Sequence, residues 1–171
     1  RKIQFVNFNY TNSINMYSAF PRKPEIDVRI LNIHGNLNEE IIFGYGNDQN
    51  ENYKKMLDSK IDEFLENFKT FAYLNKNRYS NFFKNQLPMM GEYDIFILGH
   101  SLQQTDKTFL SAIFNNEFCS RIHILKRSDL QEDDADKAYR KLIFALSRIL
   151  KTDNDELRLK VIDYESITYF P

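Results

Sequence analysis

Three short stretches place residues able to handle a sugar, a phosphate or a proton at the ends of apolar runs. Asn9, Tyr10 and Thr11 follow "IQFVNF", His34 and Gly35 follow "DVRILNI", and Gly99, His100 and Ser101 follow "YDIFIL". A histidine titrates near neutrality and can take a proton from water or a hydroxyl. An amide both donates and accepts hydrogen bonds, so Asn9 can orient a water or a substrate amide. Gly99 lets a ligand approach the backbone, and Ser101 can bond a hydroxyl or a phosphate.

Each cluster also has a plainer reading. Asn9 can cap a turn, with Asn7 on the same strand face in support, and Gly99 to Ser101 can form a tight turn. In that reading Ser101 or Thr105 serves as the N-cap of the next helix, and Asp106 is a first-turn acid favoured by the helix dipole. His123, inside "RIHIL", reads as a sheet-face histidine.

The elements that must carry these clusters follow from the apolar pattern. Residues 3–10 and 27–34 are rich in Val, Ile, Phe and Tyr and end in polar turns, as strands do. Between them a short helix fits around 12–19, before Pro21 and Pro24 bar its continuation. The stretch "EEIIFGYGND" fits a short strand or hairpin arm with a loop behind it. From 51 to 75, Tyr53, Met56, Leu57, Ile61, Phe64, Leu65, Phe68 and Phe71 recur at three- and four-residue steps, which predicts one long amphipathic helix. A second helix over 76–87 ends at Pro88.

"YDIFIL" is continuously apolar between Gly91 and Gly99, the pattern of a central strand buried on both faces. Helix over 105–116, strand over 121–127, helix over 134–151 and strand over 157–164 complete the chain. Ala138, Leu142, Ala145, Leu146 and Ile149 form the buried stripe of the last helix. This alternation predicts an α/β fold: three layers, with a mostly parallel Rossmann-like sheet and helices on both faces. If the three strands run parallel, the three polar clusters meet at their carboxyl ends, where open sheets bind ligands.

The totals exclude several classes. With 171 residues and no composition break, one domain over 1–171 is expected. Net charge is −1 with both signs interspersed, so no broad basic field draws nucleic acid. No apolar stretch approaches the roughly 20 residues of a membrane-spanning helix. The single cysteine, Cys119, and the lack of Cys/His clusters fit a reducing cytoplasm without a metal site. "GHSLQ" lacks the second glycine of a nucleophile elbow, and "GYG" at 44–46 has no helix directly behind it to make a phosphate loop.

Taken in order, "FVNFNYTNS", "ILNIHGN" and "IFILGHSLQQTD" resemble the bacteriophage abortive-infection AbiH family, over roughly residues 3–127. That family in turn resembles, distantly, sirtuins and sirtuin-like defence enzymes that hydrolyse NAD. The resemblance implies that Asn9 and His34 are catalytic. It implies that Thr11, Gly35, Gly99, His100, Ser101 and Asp106 contact the nucleotide, with Gly99 and Ser101 holding its ribose. Thr11 stands where the sirtuin-like enzymes carry an aspartate. AbiH-type proteins also open with a Gly-Asn-Gly-Phe-Asp loop that this chain lacks, so a C-terminal fragment of a longer protein is expected.

The function so implied is antiphage abortive infection, with cleavage of the N-glycosidic bond of NAD as its chemistry. NAD or a related nucleotide is then substrate, and no cofactor is required. A small nucleotide and a phage-derived trigger are the implied partners, with a homo-oligomer allowed and neither nucleic acid nor membrane involved. The alternative is a sensor or interaction domain that binds a nucleotide or phage component without chemistry.

Overall fold

A computed structural model describes residues 1–18, 25–48, 50–75, 77–127, 132–150, 154–162 and 169–170. The segment with Pro21 and Pro24, and residues 163–164 of the last expected strand, lie outside the described residues. The chain divides into two compact units, Arg1–Tyr45 with Lys55–Met90 and Gly46–Lys54 with Gly91–Pro171.

In the first unit, strand β1 (Lys2–Asn7) pairs in parallel with β2 (Asp27–Asn32), and Asn7 lies opposite Asn32 at the shared carboxyl edge. The short helix α1 (Ile14–Ser18) lies between them in sequence, as the pattern predicts. Leu31, Ile33, Ile42, Phe68, Tyr73, Phe82 and Leu87 are buried in this unit.

The long helix expected over 51–75 is broken. Helix α2 (Glu51–Ser59) ends at Lys60, whose φ of 56° is left-handed, and a single 3-10 turn (Asp62–Phe64) follows. Helix α3 (Lys69–Asn75) begins only after a parallel bridge between Tyr45 and Phe68. Tyr45 N–H donates to the Asn67 carbonyl and Lys69 N–H donates to the Tyr45 carbonyl, both at 2.9 Å. Helical backbone would need those groups for itself, so the bridge and the helix exclude each other. Gly44 permits the bridge: a Cβ there would fall 2.0 Å from the Asn67 carbonyl oxygen. "EEIIFGYGND" thus contributes a bridge instead of a strand. Leu57, Ile61 and Phe64, expected on the buried face, are exposed. Helix α4 (Asn77–Asn81) continues into a wider π turn over Phe82–Gln86 and stops at Pro88.

In the second unit, β3 (Tyr93–Ile97) pairs in parallel with β4 (Cys119–Ile124) through helix α5 (Lys107–Phe114), a strand-helix-strand crossover. Helix α6 (Glu132–Ile149) packs on α5, and Leu146 and Ile149 are fully buried. A two-residue parallel pair, β5 (Lys126–Arg127) with β6 (Tyr169–Phe170), completes the strands described.

Two expectations are corrected here. "YDIFIL" is not buried on both faces: Asp94 is exposed, and Phe96 and Leu98 are 57% and 38% exposed. His123 stacks on Phe96, with ring centroids 4.2 Å apart, so it is a sheet-face histidine as read from sequence. Residues 157–160 are not a strand but part of helix α7 (Asn154–Lys160), and only Val161 bridges Ile122. Glu, Leu, Arg and Lys are good helix formers, and Arg158 bonds Asp155 one turn back at 2.7 Å, which outweighs the two-residue alternation of Leu157, Leu159 and Val161. The fold class is therefore α/β built on parallel strand pairs. Among the described residues no helix is long and apolar enough to cross a membrane.

Candidate functional site

The carboxyl edge of the β1–β2 pair is organised by Asn7, which is buried. Its Nδ2 donates to Asn32 Oδ1 (2.9 Å) and to the Thr11 carbonyl (3.2 Å), while its Oδ1 accepts the Asn9 N–H (3.1 Å). Every polar atom of this amide is used, so Asn7 fixes the turn that follows β1. Asn9 stands on that turn with its side chain exposed. The Thr11 hydroxyl is paired with Ser13 (3.1 Å).

His34 follows β2 and is 2% exposed. Its Nδ1 lies 3.3 Å from the Phe8 carbonyl oxygen. A carbonyl can only accept, so Nδ1 carries the proton and Nε2 of the neutral ring is the acceptor. That nitrogen meets the Lys69 Nζ and the Tyr73 hydroxyl, each at 3.2 Å. Lys69 and Tyr73 are four residues apart on α3, which brings both to one helix face and one ring. Lys69 is itself 4% exposed.

Gly35 is required beside this ring. Its φ is +80°, and a Cβ would lie 2.2 Å from the Glu40 carbonyl oxygen. The His34 carbonyl accepts the Ile42 N–H at 2.8 Å, which closes the loop over residues 35–41.

In the second unit the turn after β3 is held by His100. The Leu102 N–H donates to His100 Nδ1 (2.9 Å), so the neutral ring carries its proton on Nε2, which faces Asp106 Oδ2 at 3.6 Å. Asp106 is buried, and its side chain makes no cap bond to α5. It acts on His100 and not on the helix terminus. Gly99 (φ +63°) and Leu102 (φ 54°) are both left-handed, so a glycine suited to that conformation and one strained leucine shape this loop. A Cβ on Gly99 would meet nothing within 4 Å, so conformation and not crowding selects glycine there.

Neither Ser101 nor Thr105 caps the following helix. The 3-10 turn Gln104–Asp106 has Gln103 at its N-cap, without a side-chain bond. Ser101 is exposed, and it lines a cleft of about 510 Å³ together with Gly99, His100 and α6 residues that include Ala138, Leu142 and Ala145. These three are half-buried, so the apolar stripe of α6 is shared between the core and the cleft wall.

The structure thus gathers Asn7, Asn9, Thr11, His34 and Gly35 in the first unit, and Gly99, His100, Ser101 and Asp106 in the second. Lys69 and Tyr73 are missed by reading the strand ends alone. Their signal is the four-residue spacing of a lysine and a tyrosine within an apolar helical stretch. The α6 wall of the cleft is missed for a similar reason, since its residues read as plain core.

The family model for bacteriophage abortive infection AbiH matches residues 1–126. No curated protein and no solved structure matches the chain.

Proposed function

We propose, from the premise that the chain belongs to the bacteriophage abortive infection AbiH family, that the protein aborts phage infection by binding a nucleotide and cleaving its N-glycosidic bond. Family membership supports the abortive-infection role; the nucleotide and its cleavage are our reading. The three-layer Rossmann-like sheet belongs to the same reading.

The observation that carries binding is the cleft beside Gly99, His100 and Ser101, whose volume lies within the range of small-ligand sites, roughly 300–1,000 Å³. Ser101, relieved of capping, offers a hydroxyl to a ribose, and the left-handed Gly99 leaves the backbone open to it.

For cleavage of NAD, the bond between ribose C1′ and the nicotinamide ring nitrogen breaks. Its electron pair returns to the pyridinium, while a water oxygen adds to the oxocarbenium-like C1′ and gives up a proton. In the first unit, Nδ1–H of His34 is fixed on the Phe8 carbonyl, so Nε2 is the atom that takes such a proton, on displacing the Lys69 Nζ and Tyr73 hydroxyl that meet it. Asn9, with an exposed amide, orients the water or the nicotinamide carboxamide.

The second reading is binding without chemistry. It is favoured by the burial of His34 and by the engagement of its Nε2 with Lys69 and Tyr73. Incubation of the protein with NAD, beside the His34→Gln and Asn9→Ala variants, separates the two. Nicotinamide release that both substitutions reduce supports cleavage. Nucleotide binding without release selects the sensor, and release unchanged in both variants removes His34 and Asn9 from the chemistry.

A further inference from the structure

The cleft in the second unit has a second feature that the Gly-His-Ser motif does not account for. Two cations, Lys141 and Arg148, line it from α6, and no carboxylate lines it among the described residues. Both side chains are exposed, and neither has an ion-pair partner among the described residues. By contrast, Lys137 on the same helix is paired with Asp134 at 3.6 Å.

The two cations are seven residues apart, two helical turns, so they stand on the same side of α6 about 10.5 Å apart along its axis. Side chains as long as Lys and Arg close that gap onto one polyanion, and a guanidinium can grip phosphate oxygens in a bidentate fork. Between them lie the apolar side chains of Leu142 and Ala145, and Phe144, 58% exposed, adds an open aromatic ring to the wall. One wall is therefore cationic with an apolar and aromatic centre. The facing loop offers Ser101 and the backbone at Gly99.

From this distribution we infer that the cleft takes a nucleoside diphosphate, with Lys141 and Arg148 holding the phosphates, Phe144 against the base and Ser101 on the sugar. The two positive charges, with no negative one among the described lining residues, select an anion over a neutral ligand. The aromatic and aliphatic wall selects a ligand with a planar body over a bare phosphate. This assignment deepens the nucleotide reading above and rests on it. It places the phosphate-binding groups on α6, outside the three sequence motifs.

Calorimetric titration of the protein with ADP, with adenosine and with inorganic phosphate tests it, alongside the Lys141→Ala/Arg148→Ala double variant and Phe144→Ala. Both cations are exposed, so the double variant is expected to melt with the parent protein. The expected result is ADP binding about tenfold or more tighter than adenosine or phosphate, a preference that the double variant abolishes and that added salt weakens. Phe144→Ala is expected to weaken ADP and adenosine alike. Equal affinity for ADP and adenosine, an unchanged ADP affinity in the double variant, or no ADP binding at millimolar concentration overturns the inference. An acidic peptide that binds this face while ADP does not overturns it too. Nicotinamide release measured in parallel keeps the two readings apart. ADP binding that depends on the cations, without release from NAD, retains this inference and discards cleavage. Release that the double variant leaves intact discards this inference and retains cleavage.

Discussion

Lys69 sets its Nζ 3.2 Å from the Nε2 of His34, and both residues are nearly without solvent contact. A buried ammonium needs an acceptor, and a buried imidazole nitrogen needs a donor, so each satisfies the other. Tyr73, four residues along α3 from Lys69, closes the group with a ring stacked at 8° to the imidazole.

Removal of this ring should therefore be costly to the fold. His34→Ala leaves Lys69 without the imidazole and opens a cavity, and a loss of about 2–4 kcal/mol is expected in urea unfolding. His34→Gln keeps an acceptor in reach of Lys69, and less than half that loss is expected. This difference is why His34→Gln, and not the alanine variant, is the informative test of chemistry.

Gly35 and Gly99 both have positive φ, at +80° and +63°, yet they should respond differently to alanine. At Gly99 the new methyl meets open space, so only the left-handed penalty of about 1–2 kcal/mol applies. At Gly35 it would collide with the Glu40 carbonyl as well, so a clearly larger loss is expected. Thermal unfolding of the two variants should rank them in that order.

The two amides after β1 divide the work. Asn7→Ala removes three hydrogen bonds at a buried turn and is expected to cost about 2–3 kcal/mol. Asn9→Ala, at an exposed side chain, should change stability by no more than about 0.5 kcal/mol. Chemical unfolding of both variants checks the contrast, and a costly Asn9 substitution would contradict it.

How far the sequence carries is visible in these same residues. The existence of strands β1 to β4 and the α5 crossover follow from local apolar patterning, and the structure has them, but β1 ends at Asn7 and β2 at Asn32, short of the expected residues 10 and 34. The broken helix over 51–75 was not legible, because the bridge between Tyr45 and Phe68 joins residues 23 apart in the chain, and periodicity carries no information about such pairings. Beside Asn9, Asn7 reads from the sequence as a mere support, and in the structure it is the turn's hydrogen-bonding centre. The partners of His34 were hidden for the same reason as the bridge: Lys69 and Tyr73 come from a distant helix.

Tyr93 gives the chain an alkaline limit. Burial, with a smaller contribution from Cys119, raises its phenol well above the ordinary value of about 10, and the hydroxyl donates to the Ile113 carbonyl at 2.8 Å. The folded state thus holds the proton more tightly than the unfolded one. Its contribution is complete below pH of about 10 and is lost as pH rises through the folded value. Wild-type stability should fall above pH of about 10, and Tyr93→Phe should lower stability at neutral pH by about 1 kcal/mol while flattening the alkaline decline. Unfolding curves between neutral and strongly alkaline pH measure both.

Whether infection is aborted through the proposed cleavage of NAD is decided by the NAD and nicotinamide content of phage-infected cells carrying either the wild type or His34→Gln. NAD is expected to fall and nicotinamide to rise before lysis in the wild type only. Infection that aborts in the wild type with NAD undiminished would contradict it.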